Sequence, residues 1–222
     1  MSTASQKYDP PVNEGLDVIY RDEVILALNK PSGLLSVPGR GKDKQDSLVI
    51  RVQAEYPEAL IVHRLDMATS GLMLMARNQD MQRQLSMLFE QRLIDKRYIA
   101  IVDGKLEQQS GEINLPIITD WPNRPRQKVD YENGKPALTI FKLIKYNPEQ
   151  NITRIELKPQ TGRTHQLRVH MQSLGHAILG DRLYATAEVQ QKSTRLLLHA
   201  ESLAFTHPAT QDALNINSQA PF

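Results

Sequence analysis

Apolar residues along the chain fall mainly into short runs of strand length, separated by turn residues. Between residues 17 and 28, two apolar runs flank Arg21-Asp22-Glu23 and predict a hairpin. A second turn is predicted at Asn147-Pro148-Glu149-Gln150, between two further runs. Strand-like runs are found at 60–62, 72–76, 98–102, 139–146, 152–158 and 196–205.

Three segments show the spacing of a helix instead. The first begins after Ser47 and ends at Pro57. The second is opened by Asn78 as its N-cap, and its apolar stripe is interpreted as core packing. The third is predicted to start at Thr164 as its N-cap and to end at Gly175. The stripe of the second helix is Met81, Leu85, Leu88, Phe89 and Leu93, and that of the third is Leu167, Met171 and Leu174.

Predicted strands outnumber predicted helices, and several of them form apparent hairpins. This pattern predicts an α+β fold with a mixed, mostly antiparallel sheet and flanking helices. A length of 222 residues with 40% hydrophobic content suits one large domain or at most two small ones. Residues 1–16 are polar and contain Pro10-Pro11 and Gly15, so we expect a flexible N-terminal lead before a domain that spans 17–222.

Composition narrows the chemistry further. The chain has no cysteine, which excludes disulfides, thiol nucleophiles and Cys-ligated zinc. A formal net charge of +2 is compatible with a polyanionic partner but too mild to indicate one, so an RNA-binding protein would have to concentrate its positive charge on one face. Neither end carries an apolar export segment, and no apolar run reaches the length of a membrane span, about 18 residues. We therefore expect a cytoplasmic protein that does not associate with membranes.

The segment with the most specific chemistry is the connector that contains Asp66. It lies between two apolar runs, and connectors mounted on a rigid sheet often carry catalytic groups. On residue types alone, an ordinary turn is the better interpretation, because Asp, Thr, Ser and Gly are all turn residues. In such a turn, Asp66 would hydrogen-bond the backbone of Ala68 or Thr69.

The complete run His63–Gly71, with the sequence HRLDMATSG, resembles the signature of the RluA family of pseudouridine synthases. Further blocks follow in the family's order, so the resemblance extends from about Asp17 to the C-terminus. Two short segments, 36–40 and 120–125, narrow it to the members that modify both 23S ribosomal RNA and transfer RNA. The further blocks are Asn29–Leu35, Lys96–Ala100, Gly162–His170 and Leu196–Ala200.

The resemblance implies a pseudouridine synthase fold with a central active-site cleft. Residues 17–222 would then form the catalytic domain, with no room before Asp17 for the S4-type RNA-binding domain of several relatives. The implied partners are stem-loops of 23S rRNA and tRNA rather than DNA, and we expect a monomer. Isomerising uridine involves no net oxidation or hydrolysis, so neither a cofactor nor a metal is expected.

The resemblance also implies roles for three catalytic residues. Asp66 matches the family's nucleophile. Tyr98 matches a tyrosine that stacks on the target base and is a candidate for removing its carbon-5 proton. A ring in that role must face a cleft, so we expect Tyr98 to be less buried than Ile99. Arg168 matches the family's charge partner of the aspartate. In that role, a nearby guanidinium keeps a desolvated carboxylate ionised.

Other residues are expected to contact RNA. Arg64 matches the arginine that fills the space left by the flipped-out base. The segment Trp121–Lys128 combines one aromatic residue with three cations, which suits stacking and phosphate contacts. The expected RNA-binding residues are Arg64, Arg124, Arg126, Lys128, Arg163 and His165.

The residues also suggest two alternative functions. His165, His170, His176 and Asp181 suggest a metal-dependent hydrolase, but their spacing matches no common ligand pattern. The stronger alternative is a non-catalytic RNA-binding or chaperone protein that has kept the fold. The joint presence of the aspartate, tyrosine and arginine of the family motifs argues against it.

Overall fold

The computed structural model describes residues 8–222, and this part of the chain forms one large sheet with helices packed on it. The helices are α1 (Leu48–Glu55), α2 (Gln79–Glu90), α3 (Gln166–Ser173) and α4 (Ala187–Gln191). The first strands are β1 (Val18–Arg21), β2 (Ile25–Lys30), β3 (Leu60–Ile61), β4 (Ser70–Ala76), β5 (Asp95–Asp103) and β6 (Ser110–Asn114). The others are β7 (Ile117–Thr119), β8 (Gln127–Val129), β9 (Leu138–Asn147), β10 (Ile152–Pro159), β11 (Leu198–Thr206) and β12 (Ala213–Asn217).

The large sheet has the strand order β1-β2-β4-β11-β5-β10-β9-β6, with β3 beside β4 and β12 beside β11. Within residues 8–222, only the β4–β11 pair of this sheet is parallel; its other pairs are antiparallel. Strands β7 and β8 form a separate two-stranded hairpin. The prediction of an α+β protein with a mixed, mostly antiparallel sheet is therefore confirmed.

The parallel contact between β4 and β11 depends on Gly71. Its φ of +111° is unfavourable for any side-chain-bearing residue, and an added Cβ would lie 2.3 Å from the carbonyl oxygen of Ala200. His199 and Ala200 of β11 are the partners of Ser70 and Gly71. Glycine at this position therefore allows the strand that follows the Asp66 connector to reach the centre of the sheet.

Alternating side chains of the sheet fill cores on its two faces. Leu72 and Leu74 pack with Met81 and Leu85 of α2, whereas Met73 and Met75 face the core that includes α1. A third core joins β5, β10 and β11 to α3. The three longer helices are thus held by the sheet, and α3 is held close to β5 and β10.

Several local expectations need correction. The run at 60–62 forms a strand only at Leu60–Ile61. The predicted stripe of the second helix includes Leu93, but α2 ends at Glu90 and Leu93 is exposed. Helix α3 begins one residue later than predicted. Its N-cap is His165, in the left-handed conformation at φ 55°, rather than Thr164, and no side chain caps it there.

The N-terminus is described only in part. The first seven residues of the predicted lead lie outside the described residues. Tyr8 is buried, and its hydroxyl donates to the Asp46 carbonyl and accepts from the Leu35 amide. In the described part of the chain, no helix is both long and apolar enough to cross a membrane.

Candidate active site

A cavity of about 500 Å³ opens between the Asp66 connector, strand β5 and the start of α3. Its lining contains all three predicted catalytic residues, Asp66, Tyr98 and Arg168. The structure therefore brings together side chains that are up to 102 positions apart in the sequence. Three of the expected RNA-binding residues also line it: Arg64, Arg163 and His165.

The backbone of Asp66, not its carboxylate, closes the connector turn. The amide of Thr69 donates to the main-chain oxygen of Asp66 at 3.1 Å. Among the described residues, the carboxylate accepts no backbone hydrogen bond, and 27% of its side chain is exposed in the cavity. The turn interpretation required the carboxylate to bond the following backbone. The turn is present, but this side-chain hydrogen bond is not, so the carboxylate is available for chemistry.

The Asp66 connector is held in place by Lys30, in the Asn29–Leu35 block, and by Ser36, which follows that block. The Lys30 ammonium donates to the carbonyls of Pro31, Leu34 and Met67 at 2.8, 2.8 and 3.1 Å. Ser36 exchanges hydrogen bonds with both backbone groups of Leu65. Burial lowers the pKa of Lys30 to about 7, but only the protonated ammonium has three protons for three carbonyls, so we take it as charged.

Arg168 is held mainly by a residue that sequence reasoning did not assign to it. Its Nε and Nη2 donate to the two carboxylate oxygens of Asp181 at 2.7 and 2.8 Å, and both side chains are almost fully buried. Its Nη1 lies 3.5 Å from Oδ2 of Asp66. Burial opposes the charge of Arg168, but Asp181 outweighs it and raises the pKa of Arg168. Asp181 thus orients a permanent cation towards Asp66.

A second side chain facing Asp66 is His165, whose Nε2 lies 3.8 Å from Oδ2 of the carboxylate. Its Nδ1 lies 2.6 Å from the hydroxyl of Tyr184, which also accepts from the Gln127 amide at 2.8 Å. Burial raises the pKa of Tyr184 to about 12 and lowers the pKa of His165. The protonated phenol therefore donates to Nδ1, and we assign the Nε2–H tautomer, which points its proton towards Asp66.

Tyr98 is partly exposed in the cavity, whereas Ile99 is only 1% exposed, as predicted. Burial, together with the negative charge of Asp66, raises the pKa of Tyr98 well above its ordinary value. The phenol therefore keeps its proton at neutral pH. Its ring offers an apolar face, and its hydroxyl a hydrogen-bond donor.

The remaining expected RNA-binding residues lie outside the cavity, in the exposed segment around β8. The guanidinium of Arg124 stacks 3.4 Å above the ring of Trp121, which is 65% exposed. Arg126 lies 5.7 Å from the Tyr184 ring, and Lys128 is paired with Asp130 at 3.3 Å. This segment is connected to the cavity through the Gln127–Tyr184 hydrogen bond.

The residues of the metal-site alternative are engaged elsewhere. His170 bonds the hydroxyl of Thr139 and the carbonyl of Leu115, and His176 bonds the carbonyl of Asp103. Asp181 is committed to Arg168. Across residues 8–222, no group of three or more histidine, aspartate or glutamate side chains is arranged to hold a metal ion.

Asp181 and Tyr184 are the functional residues that sequence reasoning missed. They lie in one short segment, and the amides of Leu183 and Tyr184 both donate to Oδ1 of Asp181. The available signal was an acidic residue that follows the apolar run 177–179 after a single glycine, Gly180, which places a carboxylate at the edge of a core. Nothing in a single sequence indicates that its partner is Arg168.

Comparison with known proteins agrees with this geometry. Residues 24–173 match the family described as RNA pseudouridylate synthase. The chain is 50% identical over 217 residues to the "Dual-specificity RNA pseudouridine synthase RluA" of Escherichia coli O6:H1, covering 98% of this chain and 99% of that protein. It is 52% identical over 208 residues to the protein of the same name from Vibrio parahaemolyticus, covering 92% and 83%.

A solved structure, "Human RNA Pseudouridylate Synthase Domain Containing 1", superposes with a TM-score of 0.82 at 28% identity, covering 96% of this chain and 87% of that chain. The residues that match the family, 24–173, contain the Asp66 connector and helix α3. The chain therefore belongs to the RNA pseudouridylate synthase family, whose members are isomerases that act on RNA.

Proposed function

We propose that the chain converts uridine to pseudouridine in stem-loops of 23S rRNA and of the tRNA anticodon arm, with Asp66 as the nucleophile. One observation carries this assignment: the Asp66 carboxylate is free of its own turn and is faced in a cavity by Arg168 and His165. The two named RNAs come from the dual specificity in the relatives' names and from the RluA-like sequence blocks.

The reaction breaks the bond between ribose carbon-1′ and base nitrogen-1 and forms a bond between carbon-1′ and base carbon-5. Carbon-5 loses a proton to solvent and nitrogen-1 gains one, so atoms and electrons balance without an oxidant or a hydrolytic water. The carboxylate of Asp66 holds one fragment covalently while the base turns. Arg168 and the Nε2–H of His165 both face Oδ2 of that carboxylate and orient it.

The target base must leave its stack to reach Asp66. Arg64 is exposed at the cavity and is proposed to occupy the vacated space. The ring of Tyr98 is proposed to stack on the flipped base. Because its pKa is raised, a stacking role is better supported for Tyr98 than removal of the carbon-5 proton. Arg163 would contact RNA at the cavity, and the segment 121–128 would contact it outside, through Arg124, Arg126 and Lys128.

The remaining parts of the proposal concern the whole protein. Residues 17–222 are proposed to be the catalytic domain, acting as a monomer on RNA and not on DNA, without a cofactor. Because rRNA and tRNA are made and used in the cytoplasm, we propose that the protein acts there. Sedimentation of the purified protein measures its oligomeric state directly.

The test uses synthetic stem-loops labelled with tritium at carbon-5 of uridine, because the reaction releases that hydrogen. The parent protein should release tritium from both stem-loops. Asp66→Asn keeps the size of the side chain but removes its charge, so it should fold and bind RNA without releasing tritium. Asp212→Asn, at an exposed loop residue, serves as the matched control and should behave like the parent. Turnover by Asp66→Asn would refute the nucleophile assignment, and two inert stem-loops with the parent would refute the substrates.

A further inference from the structure

Two cations on the cavity wall have no assigned role. Arg92 lies in the connector between α2 and β5, and Lys96 lies near the start of β5; both line the cavity that contains Asp66. Lys96 and Tyr98 are two residues apart on the same strand, so their side chains project from the same face. Lys96 therefore lies beside the ring that is proposed to stack on the target base.

A second cavity, of about 270 Å³, continues from this point. It shares Arg92, Lys96 and Pro159 with the first cavity and extends along β5 and β10 to Lys158. The two cavities thus form one groove that leads away from Asp66. We call it the β5–β10 groove, and define it by Arg92, Asp95, Lys96, Arg97, Lys158 and Gln160.

The charge of this groove is unbalanced at its junction with the first cavity. Arg97 is neutralised by Glu201 at 2.8 Å and by Glu156 at 3.6 Å, and Lys158 by Glu156 at 3.4 Å. Within residues 8–222, neither Arg92 nor Lys96 has a carboxylate oxygen within 4.0 Å. Glu90 and Asp95 line the two cavities but are exposed and pair with neither cation.

Holding these two cations together costs free energy in the unliganded protein. Burial lowers the pKa of Lys96, and the nearby charge of Arg92 lowers it further. An anion between them would remove both effects, because it would replace lost hydration and screen the repulsion. The site therefore favours a ligand with a fixed negative charge, delivered at the cavity mouth beside Tyr98.

We propose that Arg92 and Lys96 bind a backbone phosphate of the RNA strand next to the target uridine, and that the β5–β10 groove guides this strand away from the cavity. The inference rests on the proposed function, since it assumes that the target base stacks on Tyr98. It adds a phosphate site on a different part of the surface from the segment 121–128. The RNA is expected to follow this groove as a single strand, as in a loop whose base has been flipped out.

The test measures binding of the tRNA anticodon stem-loop as a function of salt, in an Asp66→Asn background that does not turn over the RNA. Each lost phosphate contact should reduce the slope of log K against log[salt] by about 0.7. The protein with intact Arg92 and Lys96 should then lose roughly 2.6-fold more affinity between about 50 and 200 mM salt than Arg92→Gln or Lys96→Gln. Lys145→Gln, at an exposed lysine of β9 outside both cavities, is the matched control and removes the same charge.

Charge-conserving variants separate a phosphate contact from a structural role. Arg92→Lys and Lys96→Arg should restore the slope, and the exposed Arg92 carries the test if Lys96→Gln does not fold. Slopes equal to that of Lys145→Gln, or a loss that the charge-conserving variants do not restore, would overturn the proposal. Failure of the proposed function is recognised separately: the parent protein would then release no tritium from the stem-loop, whatever the salt slopes.

Discussion

The variant Asp181→Asn tests whether catalysis depends on the orientation of Arg168. The Asp181 carboxylate takes two of the guanidinium's hydrogen bonds, at 2.7 and 2.8 Å, and leaves Nη1 facing Asp66 at 3.5 Å. Asparagine has the same size but is neutral, and it presents an amide NH₂ to one of the two guanidinium nitrogens. The buried cation then loses its anchor, while Asp66 and the cavity wall remain intact.

The variant should lose both stability and kcat, and the structure sets the size of each loss. Removing one partner of a buried ion pair costs about 3–5 kcal/mol. We expect the lower end, about 3 kcal/mol, because asparagine retains one acceptor, and this corresponds to a fall in Tm of roughly 6–12 °C. If Arg168 moves from 3.5 Å to about 5 Å from Asp66, their attraction weakens by about 1.4 kcal/mol at an effective dielectric constant of about 20. A loss of that size in the transition state lowers kcat about tenfold.

The assay is tritium release under saturating RNA, far below the Tm of the variant. The matched control is Asp46→Asn, because Asp46 forms a similar two-bond pair with Arg51, at 2.8 and 2.6 Å, outside the cavity. The control should lose stability without losing kcat. If Asp181→Asn has a lower Tm but a kcat equal to that of the control, the orientation of Arg168 is not needed, and this reasoning is refuted.

Three further predictions follow from the same geometry. Arg168→Lys keeps the charge but cannot serve Asp181 and Asp66 together, so kcat should fall at least about tenfold, whereas Arg51→Lys should leave tritium release unchanged. Tyr184→Phe removes the hydroxyl shared by His165 and the Gln127 amide, which should cost about 1–3 kcal/mol in chemical denaturation and lower kcat, while Tyr146→Phe, which removes a solvent-exposed hydrogen bond to Asn151, should do neither. Burial chiefly, with the charge of Lys96, lowers the pKa of His63 from 6.5 to about 3. Unfolding therefore takes up a proton as the pH falls below about 6.5, and His63 should contribute up to about 2 kcal/mol to the loss of stability by pH 5. A folded His63→Gln variant should lose less stability by that amount.

The central strands and the first two helices could be predicted because their residues carry local signals. Strands β4, β5, β9 and β10 are apolar runs of the right length, and Asn78 caps α2 through the Met81 amide as expected. The short strands β6, β7, β8 and β12 escaped, because each spans only three to five residues and contains no apolar run of strand length. They are strands because neighbouring strands supply their hydrogen bonds, and that cannot be read locally.

The start of α3 shows the same limit at a functional position. Thr164 is a favourable N-cap by type, yet the helix starts after His165, which adopts a left-handed conformation. The side chain of Gln166 accepts hydrogen bonds from the Arg163 amide and from the Thr161 hydroxyl. These bonds fix the loop before the helix, whereas an N-cap side chain would bind the first amides of the helix itself. The loop is thereby shaped to point His165 at Asp66, a tertiary requirement that outweighs the intrinsic capping preference of threonine.

Ser70 and Gly71 are turn residues by type, yet in the motif around Asp66 they form the start of strand β4. Ser70 is buried; its hydroxyl accepts from Arg195 and donates to Nδ1 of His199 at 2.9 Å, and Nε2 of His199 donates to the Ser218 carbonyl at 2.9 Å. Burial lowers the pKa of His199, which keeps the ring neutral and fixes the direction of this chain. Gly71 allows β4 to approach β11 as closely as these hydrogen bonds require. The two residues that looked like turn formers therefore attach β4 to the centre of the sheet. Asp66, four residues earlier, is consequently carried by a rigid strand end, which is what aiming a nucleophile demands.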